Sequence, residues 1–161
     1  LTGSFKLGTT IRETYLPNNH EEYFNEQTSI LDWLREFSEE KDELYIRGFL
    51  GKMLFSGEEV LKSINVLSGG EKVRCMLSKM MLLQGNLLIF DTPTNHLDLE
   101  SIQALNNSMI DFKGTILFSS HDHQLTDSVA TRIIEITPDS NHDKLMTYSE
   151  FINFKNKLET I

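Results

Sequence analysis

Cysteine is almost absent from this 161-residue sequence: Cys75 stands alone, so no disulfide within the chain can staple the fold and stability must come from a buried core. It lies on a helical stretch among Met76, Leu77 and Met80, which marks it as a small buried hydrophobe suited to a reducing compartment. No apolar run approaches the roughly 18 residues that a membrane span needs. No charged start followed by a hydrophobic run opens the chain, and the expectation is a cytoplasmic protein with no membrane partner. Positive charge is scarce as well, with 15 Lys and Arg against 24 Asp and Glu, a net −9. That balance argues against holding nucleic acid by bulk electrostatics, because phosphate neutralisation needs local positive charge, although a local basic face stays open. Internal repeats and low-complexity segments are missing too. What is present is 39% apolar residues, including ten Phe, enough for the core of one globular domain. The chain opens on Leu1 rather than Met, and LTGSFKLGTTI reads as the continuation of something, so a fragment is expected.

Hydrophobic periodicity organises the rest. Residues 1–23 alternate in short stretches, FKLG and IRETYL, broken by Gly3, Gly8 and Pro17, which predicts two short strands and a turn. Thr28 can cap a helix carrying Ile30, Leu31, Leu34 and Phe37, ended by the acidic turn SEEKDE. A second helix is expected from about Leu44 to Phe55 and a short third from Glu58 towards Ser63, together a helical insert. The next helix starts at Ser68, with Val73, Met76, Leu77, Met80 and Met81 on one face, and Gly85 ends it. Leu87 to Phe90 and Thr115 to Phe118 are apolar runs of the kind buried in a parallel sheet with helices on each face. The amphipathic stretch Leu99 to Asp111 between them completes a crossover unit. A helix from His123 to Ala130, a strand Ile133 to Ile136, a polar segment PDSNHD and a closing helix from Ser149 follow. The layout is α/β.

Three short motifs can carry chemistry. Ser68, Gly69 and Gly70 open a helix where backbone N–H groups and the helix dipole favour an anion; a flexible loop with an N-cap is the plainer reading. Asp91 ends an apolar strand at the carboxyl edge, where open α/β sheets place their ligands, and could serve Mg²⁺ or merely cap the turn PTNH. His121 follows the second apolar strand at the same edge, and a lone His there is as readily structural as functional. His121, Asp122 and His123 lack a third ligand cluster for a metal site, Met76, Met80 and Met81 read as core, and the acidic run Ser38 to Glu43 reads as solvated faces and turns.

Order and spacing join the three. LSGGEK followed by LLIFDTPTNHLD resembles the signature, Walker B and D-loop regions of an ATP-binding cassette, and PTNHLDLESI with FKGTILFSSHD resembles the ABC-F subfamily. That resemblance implies a partial P-loop NTPase-like cassette: a mostly parallel sheet with helices on both faces plus an α-helical subdomain. It divides the chain into a remnant β region at 1–26, the helical subdomain at 27–66, and the signature helix and sheet core at 67–161. Members have two cassettes, no membrane domain, and act mostly on ribosomes. The resemblance implies that Ser68, Gly69, Gly70 and Glu71 belong to a nucleotide site completed by the opposite cassette, and that Asp91 serves Mg²⁺. Asp98 would contact the second cassette, while His121 would meet the γ-phosphate and the attacking water. ATP and Mg²⁺ are the implied cofactors; a second cassette, the ribosome and tRNA are the implied partners.

Three departures qualify it. No G-x-x-x-x-G-K-[ST] occurs, and Gly48-Phe-Leu-Gly51-Lys52-Met53 has the wrong spacing and sits in the helical insert. The phosphate-cradling loop is therefore expected upstream of Leu1, and the isolated chain is expected to hydrolyse nothing. Thr92 stands where the family usually has the glutamate that polarises water, and a hydroxyl of very high pKa cannot act as general base. This cassette's own site is thus expected to bind ATP and hydrolyse it slowly. Asn18 aligns near the usual Mg²⁺-linking glutamine, with the same amide on a shorter stem. Two other functions remain open here: the motor cassette of a membrane transporter, and a non-hydrolysing cassette that only senses ATP.

Overall fold

Local capping decides where most of the α-helices begin. The computed structural model describes residues 4–17, 19, 21–95, 97–138 and 140–159, in two compact units, Leu1–Ser119 and Ser120–Ile161. The first unit runs β1 (Glu13–Leu16), a 3-10 turn (Glu21–Phe24), α1 (Ile30–Glu36), α2 (Glu43–Lys52), 3-10 turns at Gly57–Leu61 and Ile64–Val66, α3 (Gly69–Leu82), β2 (Leu87–Asp91), α4 (Leu99–Asp111) and β3 (Thr115–Ser119). The cap of α1 is Ser29 rather than the expected Thr28: Ser29 Oγ accepts from the Asp32 N–H at 3.0 Å, while the Thr28 carbonyl accepts from Ile64 N–H. Asp42 caps α2 through Tyr45 N–H at 3.0 Å. That helix stops at Lys52, short of the expected Phe55, because Leu54 turns left-handed at φ 65° and Phe55 N–H returns to the Leu50 carbonyl. Gly48, Gly51 and Lys52 are thus helical residues and form no phosphate loop.

All three strands run parallel with β2 central, and α4 makes the expected crossover between β2 and β3. Thr14 and Leu16 of β1 and Leu88 and Phe90 of β2 line the buried face. On the other face Tyr15 and Leu117 remain 53% and 55% exposed. The sequence predicts Thr115 to Phe118 to be buried on both sides; β3 instead alternates between exposed and half-buried, because Leu117 points to the same open face as Tyr15. The expected strand at FKLG does not form either. Phe5 is 88% exposed and the segment ends in a turn from Gly8 to Ile11, so it has no neighbour to complete a ladder.

Asn86 ties the sheet together just before β2. Its Oδ1 accepts Arg12 N–H at 2.8 Å, its Nδ2 donates to the Thr10 carbonyl at 2.9 Å, and its own carbonyl accepts Thr115 N–H at 2.9 Å. A Cβ at Gly114 would lie 2.5 Å from that carbonyl, so only glycine lets β3 approach. Asn86→Ala removes both side-chain bonds and should cost about 1–2 kcal/mol at roughly 1 kcal/mol each. A urea-unfolding midpoint unchanged from the parent would show that the backbone ladder suffices.

The helices bury Ile30, Leu34, Ile46, Leu50 and Ile64 completely, and α3 packs against α1, α2 and β1 with Val73, Met76, Leu77 and Met80 buried as its periodicity predicts, while Met81, expected on the same face, is half-buried. Cys75 is fully buried, which pushes its thiol pKa far above the ordinary range. Lys79 on α3 spreads its ammonium over Phe37, Tyr23 and Trp33, with Nζ 3.7, 4.8 and 6.0 Å from the ring centroids. Burial lowers its pKa, and the aromatic faces supply attraction that water no longer gives. Lys72 pairs with Glu21, so α3 holds the Glu21–Phe24 turn at two points.

The second unit comprises α5 (His123–Val129), β4 (Ile133–Ile136), β5 (Asn141–Lys144) and α6 (Tyr148–Glu159). The expected β4 forms, but it pairs antiparallel with β5, a strand that the polar segment gave no reason to expect. Arg132 grips Asp143 through two bonds of 2.7 and 2.6 Å, and Ser149 N–H donates to Asp127 at 2.7 Å to fix α6 against α5. Among the described residues no helix is long and apolar enough to cross a membrane.

Candidate functional site

Ser68 is the N-cap of α3 and forms a reciprocal box with Glu71: the Ser68 hydroxyl accepts Glu71 N–H at 3.3 Å, and Glu71 Oε2 accepts Ser68 N–H at 2.7 Å. Gly69 and Gly70 are the next two residues, with Gly69 exposed and Gly70 half-buried. Their N–H groups belong to the first turn, which has no partner inside a helix. Lys62 reaches in from the preceding loop and donates to Glu71 Oε1 at 2.7 Å. Sequence reading missed this lysine, whose only sign is a positive residue nine places upstream. The pair matters electrostatically: an unneutralised Glu71 would repel any anion at this terminus.

Burial pushes the Glu71 carboxyl up, but the bonds from Lys62 and Ser68 outweigh it and hold the pKa below the usual glutamate range. A depressed carboxylate contributes stability that is complete above the ordinary glutamate pKa and is lost as pH falls through its lowered folded value. Melting temperatures of the parent and Glu71→Gln should therefore lie apart near neutral pH and converge in acid. A gap that is constant with pH would rule out the ion pair as its source.

At the carboxyl edge of the sheet, Asp91 ends β2 directly opposite Ser119, which ends β3. Ser119 Oγ donates to Asp91 Oδ1 at 3.0 Å. Thr92 follows with φ 48°, a left-handed backbone that is unusual for a β-branched residue. Its N–H donates to the Ser119 carbonyl at 3.1 Å and lies 3.2 Å from Ser119 Oγ, while its hydroxyl accepts from Asn95 Nδ2 at 3.1 Å. Asp91 is exposed, and its second oxygen accepts no hydrogen bond among the described residues. One free carboxylate oxygen suits Mg²⁺, which takes one or two carboxylates along with water and phosphate oxygens. Among the described residues no three His, Cys, Asp or Glu side chains gather to hold a metal by themselves.

Asp98 caps α4, accepting Ser101 N–H at 2.8 Å, and the bonds with Ser101 lower its pKa. His121 lies exposed at the start of the second unit. Asn18 falls outside the described residues. The first unit therefore brings Asp91, Thr92, Asn95 and Ser119 together at one edge and Ser68, Gly69, Gly70, Glu71 and Lys62 at the head of α3. Ser119 could have been found from sequence: two five-residue strands in parallel place their last residues side by side.

No family model matches the chain. It is 59% identical to the uncharacterized ABC transporter ATP-binding protein YkpA of Bacillus subtilis, over 94% of this chain and 28% of that protein. It is 30% identical to ABC transporter F family member 5 of Arabidopsis thaliana, over 86% of this chain and 20% of that one. The chain spans less than a third of the length of these relatives. Its fold matches a chain in the complex of archaeal ribosomal stalk protein aP1 with the archaeal ribosome recycling factor aABCE1, at a TM-score of 0.73 and 21% identity, covering 96% of this chain and 31% of that chain. The chain thus belongs to the ATP-binding cassette family, of which it carries part of one cassette, and its relatives fit the ABC-F type.

Proposed function

We propose that this chain is the C-terminal part of one cassette of an ABC-F type ATPase, cytoplasmic, which in the intact protein closes on a second cassette when ATP binds and acts on the ribosome near tRNA. The observation that carries the reading is the head of α3. There a capped helix terminus, two glycines and a neutralised Glu71 present N–H donors suited to the γ-phosphate of an ATP held by the opposite cassette. On the same reading Asp91 serves Mg²⁺, which when bound offsets the charge of the phosphates. His121 donates to the γ-phosphate and meets the attacking water, Asp98 contacts the second cassette, and Asn18 links the cation to the helical subdomain at 27–66. Support for the ribosome comes from the ABC-F likeness and from the recycling factor that shares the fold.

Sedimentation of the full-length protein with purified ribosomes tests it, in ATP and in ADP, at moderate salt so that non-specific RNA binding is suppressed. The expected result is pelleting with ATP and not with ADP. Pelleting with neither removes the ribosome as partner and redirects attention to membrane components docking on the helical subdomain.

A further inference from the structure

We infer that Ser119 is a positioning residue for the cation-binding carboxylate, a role that rests on the reading of Asp91 as the Mg²⁺ ligand. The direction of its hydrogen bonds follows from elementary chemistry. Thr92 N–H can only donate, so Ser119 Oγ, 3.2 Å away, meets it as an acceptor. The single hydroxyl proton is then free for Asp91 Oδ1, which as a carboxylate oxygen can only accept, at 3.0 Å. One hydroxyl thereby ties together the end of β2, the end of β3 and the left-handed turn at Thr92.

The consequence lies in which oxygen remains. Asp91 is the last residue of its strand and exposed, so without a partner its carboxylate would sample several rotamers, and binding a cation would have to order it. With Oδ1 held by Ser119, the rotamer is set in advance and Oδ2 is left for a single contact with the metal. Partners of this kind, which orient a ligand without touching the metal, change metal affinity by about 10- to 100-fold when removed.

Threonine and valine at this position separate the hydroxyl from everything else, since both are β-branched, of similar size and suited to a strand. In the full-length protein, the affinity for a fluorescent ATP analogue is measured with Mg²⁺ and with EDTA, and the ratio of the two isolates the contribution of the cation. Ser119→Val should reduce that ratio about tenfold with little change in EDTA, Ser119→Thr should retain it, and Ser119→Ala provides a second variant without the hydroxyl should valine fold poorly. Asp91→Asn serves as reference. If Asp91→Asn reduces the ratio while the hydroxyl-free variants leave it intact, Ser119 has no positioning role and the Asp91 reading stands. If threonine loses as much as valine, the effect does not follow the hydroxyl and the inference is wrong. If Asp91→Asn changes nothing, Asp91 is not the cation ligand and both ideas fail.

Discussion

Replacing Thr92 by glutamate in the full-length protein is expected to raise ATP hydrolysis at this cassette's own site by about 100-fold, the lower end of what a positioned general base contributes and equivalent to about 2.7 kcal/mol in the barrier. A threonine hydroxyl cannot take a proton from water near neutral pH, whereas a carboxylate beside the γ-phosphate can. The local backbone accepts the exchange. At φ 48° the unbranched glutamate is no more strained than the β-branched threonine, and the turn keeps its N–H bond to the Ser119 carbonyl. The exchange loses the bond from Asn95 to the Thr92 hydroxyl, about 1 kcal/mol on an exposed turn. Thr92→Gln is the matched control, with the same length and no base. Single-turnover phosphate release that rises for glutamate and not for glutamine supports a retentive site in the parent; equal rates for the two would end the argument. On the proposed head-to-tail pairing the glycines of this half would serve the opposite site, so Thr92 would impair only its own site and leave one hydrolysing site at most.

The parts of this fold that were legible in sequence are those whose signal is local and apolar. The stripe Val73, Met76, Leu77 and Met80 fixed α3, and α4 between two apolar runs announced a crossover. What escaped depended on partners distant in sequence. Asn141–Lys144 is entirely polar, so no alternation marks it, and it becomes a strand because Ile133–Ile136 offers a ladder and Arg132 reaches Asp143. FKLG has the alternation and no ladder, and stays irregular. At the site, SGG and the terminal Asp91 are ordinary when taken singly, and what drew attention to them was their order and spacing with SSHDH on one chain. Lys62 was not legible, because a lysine is ordinary until its contact with Glu71 is known, and Ser119 was open to sequence only through the strand register that sets it opposite Asp91.

Stability and function are expected to move in opposite directions at Gly70, which makes it the sharpest probe of the α3 terminus. Gly70 is the second residue of the helix, where glycine is a poor helix former and an acidic side chain is favoured by the dipole. Gly70→Asp should therefore raise the unfolding free energy by about 0.5–1 kcal/mol. The same carboxylate introduces a negative charge where the proposed γ-phosphate must approach, and Lys62 is already engaged with Glu71. Repulsion of about 1–4 kcal/mol at 4 Å spans the range from full water screening to a partly buried surface. That converts to a loss of roughly 5-fold to more than 100-fold in ATP-driven closure of the two cassettes. Closure can be followed by fluorescence transfer between labels on the two halves, and stability by thermal melting. A variant that melts higher and no longer closes with ATP identifies the terminus as a ligand site, because a loss arising from damage to the fold would lower the melting temperature. A variant that melts higher and closes as the parent does would leave Ser68, Gly69 and Gly70 as a helix cap and nothing more.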